Sequence, residues 1–194
     1  RRLPDGTLYR SEIVPTVIAW LNGRILVGEG ASQMKYQLKK GKNIWYSFKM
    51  ELGEALGAKY YDSELREVDP FRIKNPVDAA RVFFAYLKYL IIKYCTENNI
   101  STDILYAVSI PASFEANQRK DLLDALMAND MKVSKQALID EPNAAFISYA
   151  VSRAAENRPM FISPDYNSKV LVFDFGGGTC DISILEIGQS ANGF

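Results

Sequence analysis

The sequence of 194 residues contains no histidine. That absence excludes serine–histidine and cysteine–histidine nucleophiles and every histidine-ligated metal centre. Any chemistry therefore falls to carboxylates, lysine, hydroxyls, backbone amides or a carboxylate-held ion. Cysteine is nearly absent too. Cys95 and Cys180 are too few and too scattered for a disulfide framework or a thiolate metal site, so a reducing, cytoplasmic setting is expected. Neither sign of charge prevails, with 23 Lys+Arg against 23 Asp+Glu, and no basic surplus invites nucleic acid or a membrane surface. The longest apolar stretch, residues 77–95, is broken by Asp78, Arg81, Lys88 and Lys93 and falls short of a membrane span. The chain opens Arg1-Arg2-Leu3-Pro4, without Met and without an apolar run behind the charges. No secretory leader is expected, and a processed protein or a portion of a longer one would both begin this way.

What is present is a globular composition, 48% apolar and 12% aromatic. Thr16 to Leu21 reads as a strand, and Asn22-Gly23 before Ile25 to Gly28 predicts a hairpin, because both turn residues must take positive φ. Residues 34–69 have mixed polarity and glycines at 41, 53 and 57, and give only weak helix signals. Asn75-Pro76 followed by Asp78 predicts a helix start, with a capping side chain, a proline at the first helical position and an acid in the first turn. This helix is expected to run to about Glu97 and, being apolar around most of its circumference, to be largely buried. Ile104 to Ile110, ending at Pro111, fits a strand buried on both faces. Helical spacing follows from Glu115 to Met127, then a short strand from Gln136 to Asp140, then a helix opened by Pro142. Strand, helix, strand, helix in this order predicts an α/β architecture with a parallel sheet. Residues 156–168 read as a loop or linker.

The segment 169–187, KVLVFDFGGGTCDISILEI, holds the most specific signal. Val170 to Phe173 is a strand run ending at Asp174. Gly176, Gly177, Gly178 and Thr179 follow, and period-two alternation resumes through Ile182 and Ile184, with Asp181, Ser183 and Glu186 interleaved. The glycines thus join strand to strand. The Walker loop and the dinucleotide fingerprint both lead into a helix, so neither fits. Three residues without a Cβ let backbone N–H groups close on an anion, and Thr179 adds a hydroxyl. Asp174, at the strand end, can hold a divalent cation through its waters. On spacing alone the segment reads equally as a plain bulged hairpin whose Asp caps the turn.

This segment is similar to the second phosphate-binding hairpin of the seventy-kilodalton heat-shock protein (DnaK-type chaperone) ATPase domain, in the wider actin, sugar-kinase and heat-shock superfamily. Three further segments match in order. Val14-Pro15-Thr16 to Gly28 resembles the family's early Thr-Pro-Ser strand and its Arg-Leu-Val-Gly turn. Residues 110–119, IPASFEANQR, resemble its Val-Pro-Ala-Tyr-Phe-x-x-x-Gln-Arg element, and 140–149, DEPNAAFISY, its Asn-Glu-Pro-Thr-Ala-Ala helix start.

The resemblance implies a partial actin-like (ribonuclease H-like) ATPase fold of the α/β class. Residues 1–75 would form the peripheral subdomain of lobe I, 76–168 its core, and 169–194 the start of lobe II with its first hairpin. It implies binding of ATP or ADP with magnesium (Mg2+), and potassium (K+) nearby. Lys49, within NIWYSFKMELG, aligns with the lysine that reaches the transferring phosphate. Glu141 aligns with the acid that helps place the water and the metal shell. Asp174 matches the magnesium position and Gly176, Gly177, Gly178 and Thr179 the phosphate cradle, while Asp181 lies near the family's monovalent-cation sites. Pro111 and Arg119 match a pair that relays nucleotide state to the peptide-binding domain. Taken alone, Lys49 and Arg119 read as solvated surface, Glu141 as compensation of a helix dipole, Asp181 as a strand residue and Pro111 as a strand terminator.

Departures from the pattern are Ala116 for an acid, Asn143 for Thr, Phe175 for Leu and Cys180 for Phe. The family's first phosphate loop, adenosine-binding lobe and peptide-binding domain have no counterpart in these residues, so they are expected to pack on the remainder of a longer protein. Implied partners are client polypeptides, a J-domain co-chaperone and a nucleotide-exchange factor. A nucleotide-sensing interaction module without turnover is the alternative, and a sugar-kinase or filament-forming relative is a third reading.

Overall fold

The computed structural model describes residues 6, 11, 13–54, 57–158, 168–175 and 180–188. It divides into two compact units that interleave along the chain. Arg1–Leu105 with Glu115–Lys132 make the first, and Tyr106–Phe114 with Val133–Phe194 the second.

In the first unit, β1 (Val17–Leu21) and β2 (Arg24–Val27) form the expected hairpin, from Ile18↔Val27 to Leu21↔Arg24. Asn22 and Gly23 take φ of 51° and 73°, as the two-residue turn requires. A short α1 (Glu29–Ser32) follows. β3 (Ile44–Tyr46) pairs with the other edge of β1, giving the order β2-β1-β3. Three residues are too few to show a period, so this strand left no mark in the sequence pattern. Val17, Ala19, Ala31 and Ile44 form one buried cluster, with Leu26, Met34, Leu38 and Tyr46 packed around it.

α2 (Pro76–Glu97) starts as predicted: the Asn75 side chain accepts the Asp78 N–H at 2.8 Å and Pro76 stands at the first helical position. Its burial departs from expectation. Ala79, Ala80, Val82 and Phe83 are buried, whereas Tyr89 and Tyr94 are 60% and 61% exposed. The helix is apolar nearly all round, and among the described residues of its unit α3 (Ala116–Met127), a 3₁₀ turn at Phe48–Glu51 and β1 pack against it, while Arg81 donates to the carbonyls of Pro70 and Arg72. Asn129 ties α2 to the end of α3, donating to the carbonyls of Arg81 and Ala125, both at 2.9 Å, and accepting at its own carbonyl from Lys88 at 2.6 Å.

In the second unit, β4 (Tyr106–Ile110) and β5 (Val133–Asp140) are parallel, with Val108↔Leu138, Ser109↔Ile139 and Ile110↔Asp140 in register. α4 (Glu141–Ala155) continues directly from β5. β6 (Ser168–Phe175) and β7 (Cys180–Ile187) form an antiparallel pair, and α4 packs against all four strands. β4 is not buried on both faces as its apolar run predicted. Its residues alternate between exposed and half-buried until Ile110, so one face is left uncovered by the described residues. The run 170–173 alternates in the same way, with Leu171 and Phe173 exposed.

Candidate functional site

The β6–β7 register closes on Phe175↔Cys180, so Gly176, Gly177, Gly178 and Thr179 connect two antiparallel strands. These four lie outside the described residues. The pair below them is Asp174↔Asp181. Residues directly opposite in an antiparallel ladder share a face, so the two carboxylates belong to one side of the hairpin, together with Val172 and Ser183. Asp174 is exposed and Asp181 half-buried. Like charges placed opposite each other destabilise a ladder unless a cation lies between or beside them, and carboxylate oxygens are the donors that a hard cation prefers. Among the described residues no group of three or more Cys, Asp and Glu stands ready to hold a metal unaided. Magnesium keeps several of its waters and needs one or two carboxylates, so the pair fits its chemistry.

Ser113 approaches the same place, its Oγ 3.5 Å from Asp181 Oδ1. It lies in a turn that Pro111 begins, closed by the Phe114 N–H donating to the Pro111 carbonyl at 3.1 Å. Pro111 is buried and directly follows Ile110, the register partner of Asp140, and Glu141 then opens α4. The Pro111 turn and Glu141 thus stand at the carboxyl ends of two adjacent parallel strands, the edge where open α/β sheets bind their ligands. No sequence signal marked Ser113, since its partner is distant in the chain.

Lys49 and Arg119 belong to the first unit. Lys49 is half-buried in the Phe48–Glu51 turn. Phe48 anchors that turn edge-on to Phe83 of α2, ring centres 6.2 Å apart. Glu51 anchors it a second time: the Tyr60 hydroxyl donates to its carboxylate at 2.8 Å, and Lys59 and Lys40 approach to 3.3 and 3.5 Å. Burial, reinforced by the Glu51 charge and hydrogen bond, pushes the Tyr60 phenol well above its ordinary range. These side chains line a cavity of about 250 Å³ together with Gly41, Trp45 and Tyr46. Gly53 is the third anchor. Its N–H donates to Asp121 Oδ2 at 2.7 Å and its carbonyl accepts from Asn117 Nδ2 at 2.9 Å, both on α3, which also carries the half-buried Arg119.

The expected site residues therefore fall into two groups, Lys49 and Arg119 in one unit and Pro111, Glu141, Asp174 and Asp181 in the other. Sequence reasoning passed over Gly53, Asn117 and Asp121. A lone glycine and two polar residues on a helix carry no signal of a contact that joins positions so distant in the chain.

Comparison with known proteins gives a consistent result. The model of the Hsp70 protein family matches residues 9–192. A chaperone protein DnaK of Mycoplasma mobile is 31% identical over 180 residues, covering 92% of this chain and 25% of that protein. A chaperone protein DnaK of Thermotoga petrophila is 30% identical over 196 residues, covering 96% and 28%. A heat shock cognate HSP70 protein of Trypanosoma brucei brucei is 28% identical over 195 residues, covering 89% and 26%. The chain spans about a quarter of the length of these relatives.

Proposed function

The chain belongs to the Hsp70 protein family, and from that membership we propose that it forms part of the ATP-binding and ATP-hydrolysing domain of a molecular chaperone. Membership carries the actin-like ATPase fold, and the mixed α/β content agrees with it. The finer division is part of the proposal: residues 1–75 as the peripheral subdomain of lobe I, 76–168 as its core and 169–194 as the opening hairpin of lobe II.

The observation that carries the reading is the Asp174↔Asp181 pair, opposed across a hairpin whose connection is Gly-Gly-Gly-Thr. Backbone amides of Gly176, Gly177 and Gly178 and the Thr179 hydroxyl would cradle phosphate oxygens, Asp174 would hold magnesium through its waters, and Asp181, opposite Asp174 in the ladder, would serve a monovalent cation. Magnesium, when bound, would neutralise charge on the phosphate oxygens. Lys49 presents an ammonium to the transferring phosphoryl group, whose loose transition state spreads charge over its oxygens. Glu141, the first residue of α4, orients the attacking water. Pro111 and Arg119 relay the nucleotide state to a peptide-binding region, and client polypeptides, a J-domain co-chaperone and an exchange factor are the partners that follow, in the cytoplasm.

Replacement of Asp174 tests the assignment in the intact protein. Asp174→Asn is expected to raise the Mg2+ concentration that half-saturates ATP hydrolysis about tenfold or more. An unchanged Mg2+ requirement would remove Asp174 from the metal shell. The reading without turnover has its own signature, tight ATP binding with no phosphate released.

A further inference from the structure

Gly53 sits four positions beyond Lys49 at the exit of the turn that carries it. Its φ is +78°, in the left-handed region that favours glycine, and a Cβ there would meet Gln118 Cγ at 2.7 Å and Asn117 Nδ2 at 2.8 Å. The helix α3 therefore lies against bare backbone. Both polar groups of that peptide residue are taken: Asp121 Oδ2 accepts its N–H at 2.7 Å, and Asn117 Nδ2 donates to its carbonyl at 2.9 Å. A carboxylate accepting a backbone N–H at this distance makes a charge-assisted bond, and the pair of bonds fixes both translation and tilt of the turn's exit. The helix itself is set at its start, where the Glu115 N–H donates to Gln118 Oε1 at 2.9 Å.

We propose that Asn117 and Asp121 are positioning residues for Lys49: they hold Gly53 to α3 and thereby set where the Lys49 ammonium stands. The inference rests on the reading of Lys49 as the phosphate-facing lysine. Phe48, Glu51 and the buried Leu52 fix the turn on its inner side, and the two bonds at Gly53 set the angle at which its downstream end meets α3. A shift on the order of 1 Å in a charge that acts on a transition state is costly even when ground-state binding is untouched. Removing the clamp is thus expected to lower the hydrolysis rate and leave nucleotide affinity alone.

Single-turnover hydrolysis of Mg-ATP by the intact protein tests this, with nucleotide affinity measured in parallel. Asp121→Ala and Asn117→Ala are each expected to slow the chemical step about tenfold at unchanged affinity. Asp121→Asn, which keeps an acceptor oxygen in place, is expected to restore most of the rate, and Asp124→Ala, on the same helix but bonded to Lys120, to leave it unchanged. In a Lys49→Ala background, Asp121→Ala is expected to add less than about twofold, because the group it positions is gone. A slow Lys49→Ala enzyme with clamp variants at full rate, or with effects that multiply, would overturn the clamp and spare the reading of Lys49. Full-rate hydrolysis by Lys49→Ala, or an intact protein that does not hydrolyse ATP, would overturn both. Asn117 is an exposed helix position, so its variant keeps the test open should Asp121→Ala fail to fold.

Discussion

The two units differ in what they do with their apolar residues. The first closes a core of its own: Ile18, Ile44, Trp45, Leu52, Leu65, Ile73 and Leu126 are all at most 1% exposed. In the second, Ile110, Phe114 and two prolines, Pro111 and Pro142, are the buried apolar side chains among the described residues. Its hairpin instead exposes one continuous face, where Leu171, Phe173 and Phe175 lie opposite Ile184, Ile182 and Cys180. Phe175 is 78% exposed and Ile184 70%. A contiguous apolar face of this kind marks a surface that another element or chain covers. The lesson is functional as well. The self-sufficient unit holds Lys49 on a turn anchored at three points, while the unit with the open face holds the carboxylates, and a chain that spans about a quarter of its relatives' length leaves that face for their remainder to cover, on the proposed reading.

Truncations test this contrast, since a side chain contributes only what it buries. Ile44→Ala empties space in the closed core and is expected to cost about 3 kcal/mol in denaturant unfolding. Tyr60→Phe leaves the buried Glu51 carboxylate without its shortest hydrogen bond and is expected to cost about 2 kcal/mol. It also has a pH signature. The folded-state phenol holds its proton more tightly than the unfolded one, so the stability this brings is complete below about pH 10 and declines as pH rises beyond it. The phenylalanine variant is expected to show a shallower alkaline decline in Tm. Asn75→Ala removes the α2 cap, with an expected cost of about 1 kcal/mol. At the small end, in the 194-residue chain by itself, Ile182→Ala on the open face is expected to change stability by no more than about 0.5 kcal/mol. A cost near that of Ile44→Ala would break the contrast, because it would mean the hairpin face is packed in solution.

Local signals survived into the structure where the physics was local. The Asn22-Gly23 turn, the Asn75-Pro76-Asp78 helix start and the strand-to-strand passage through the glycines all depend on residues within a few positions of each other. Burial did not follow from the same patterns. An apolar strand such as Ile104–Ile110 is buried only if something covers both faces, and what covers it lies elsewhere in the chain or beyond it. The same holds for the site. Asp174, the glycine turn and Asp181 could be singled out in the sequence because phosphate and cation chemistry call for neighbouring residues, and the register sets Asp181 directly opposite Asp174. Ser113 near Asp181, and Asn117 and Asp121 around Gly53, depend on contacts between distant positions, which no single sequence displays. Of the departures, Phe175 and Cys180 face each other across the β6–β7 ladder and Phe175 stacks on Phe173, ring centres 6.3 Å apart, whereas Ala116 and Asn143 show no compensating contact among the described residues.

The central claim is that Lys49 serves phosphoryl transfer, and single-turnover hydrolysis of Mg-ATP by the intact protein and its Lys49→Ala variant tests it most directly. The account expects the variant to bind nucleotide normally and to hydrolyse it about a hundredfold more slowly. Hydrolysis at the wild-type rate would contradict it.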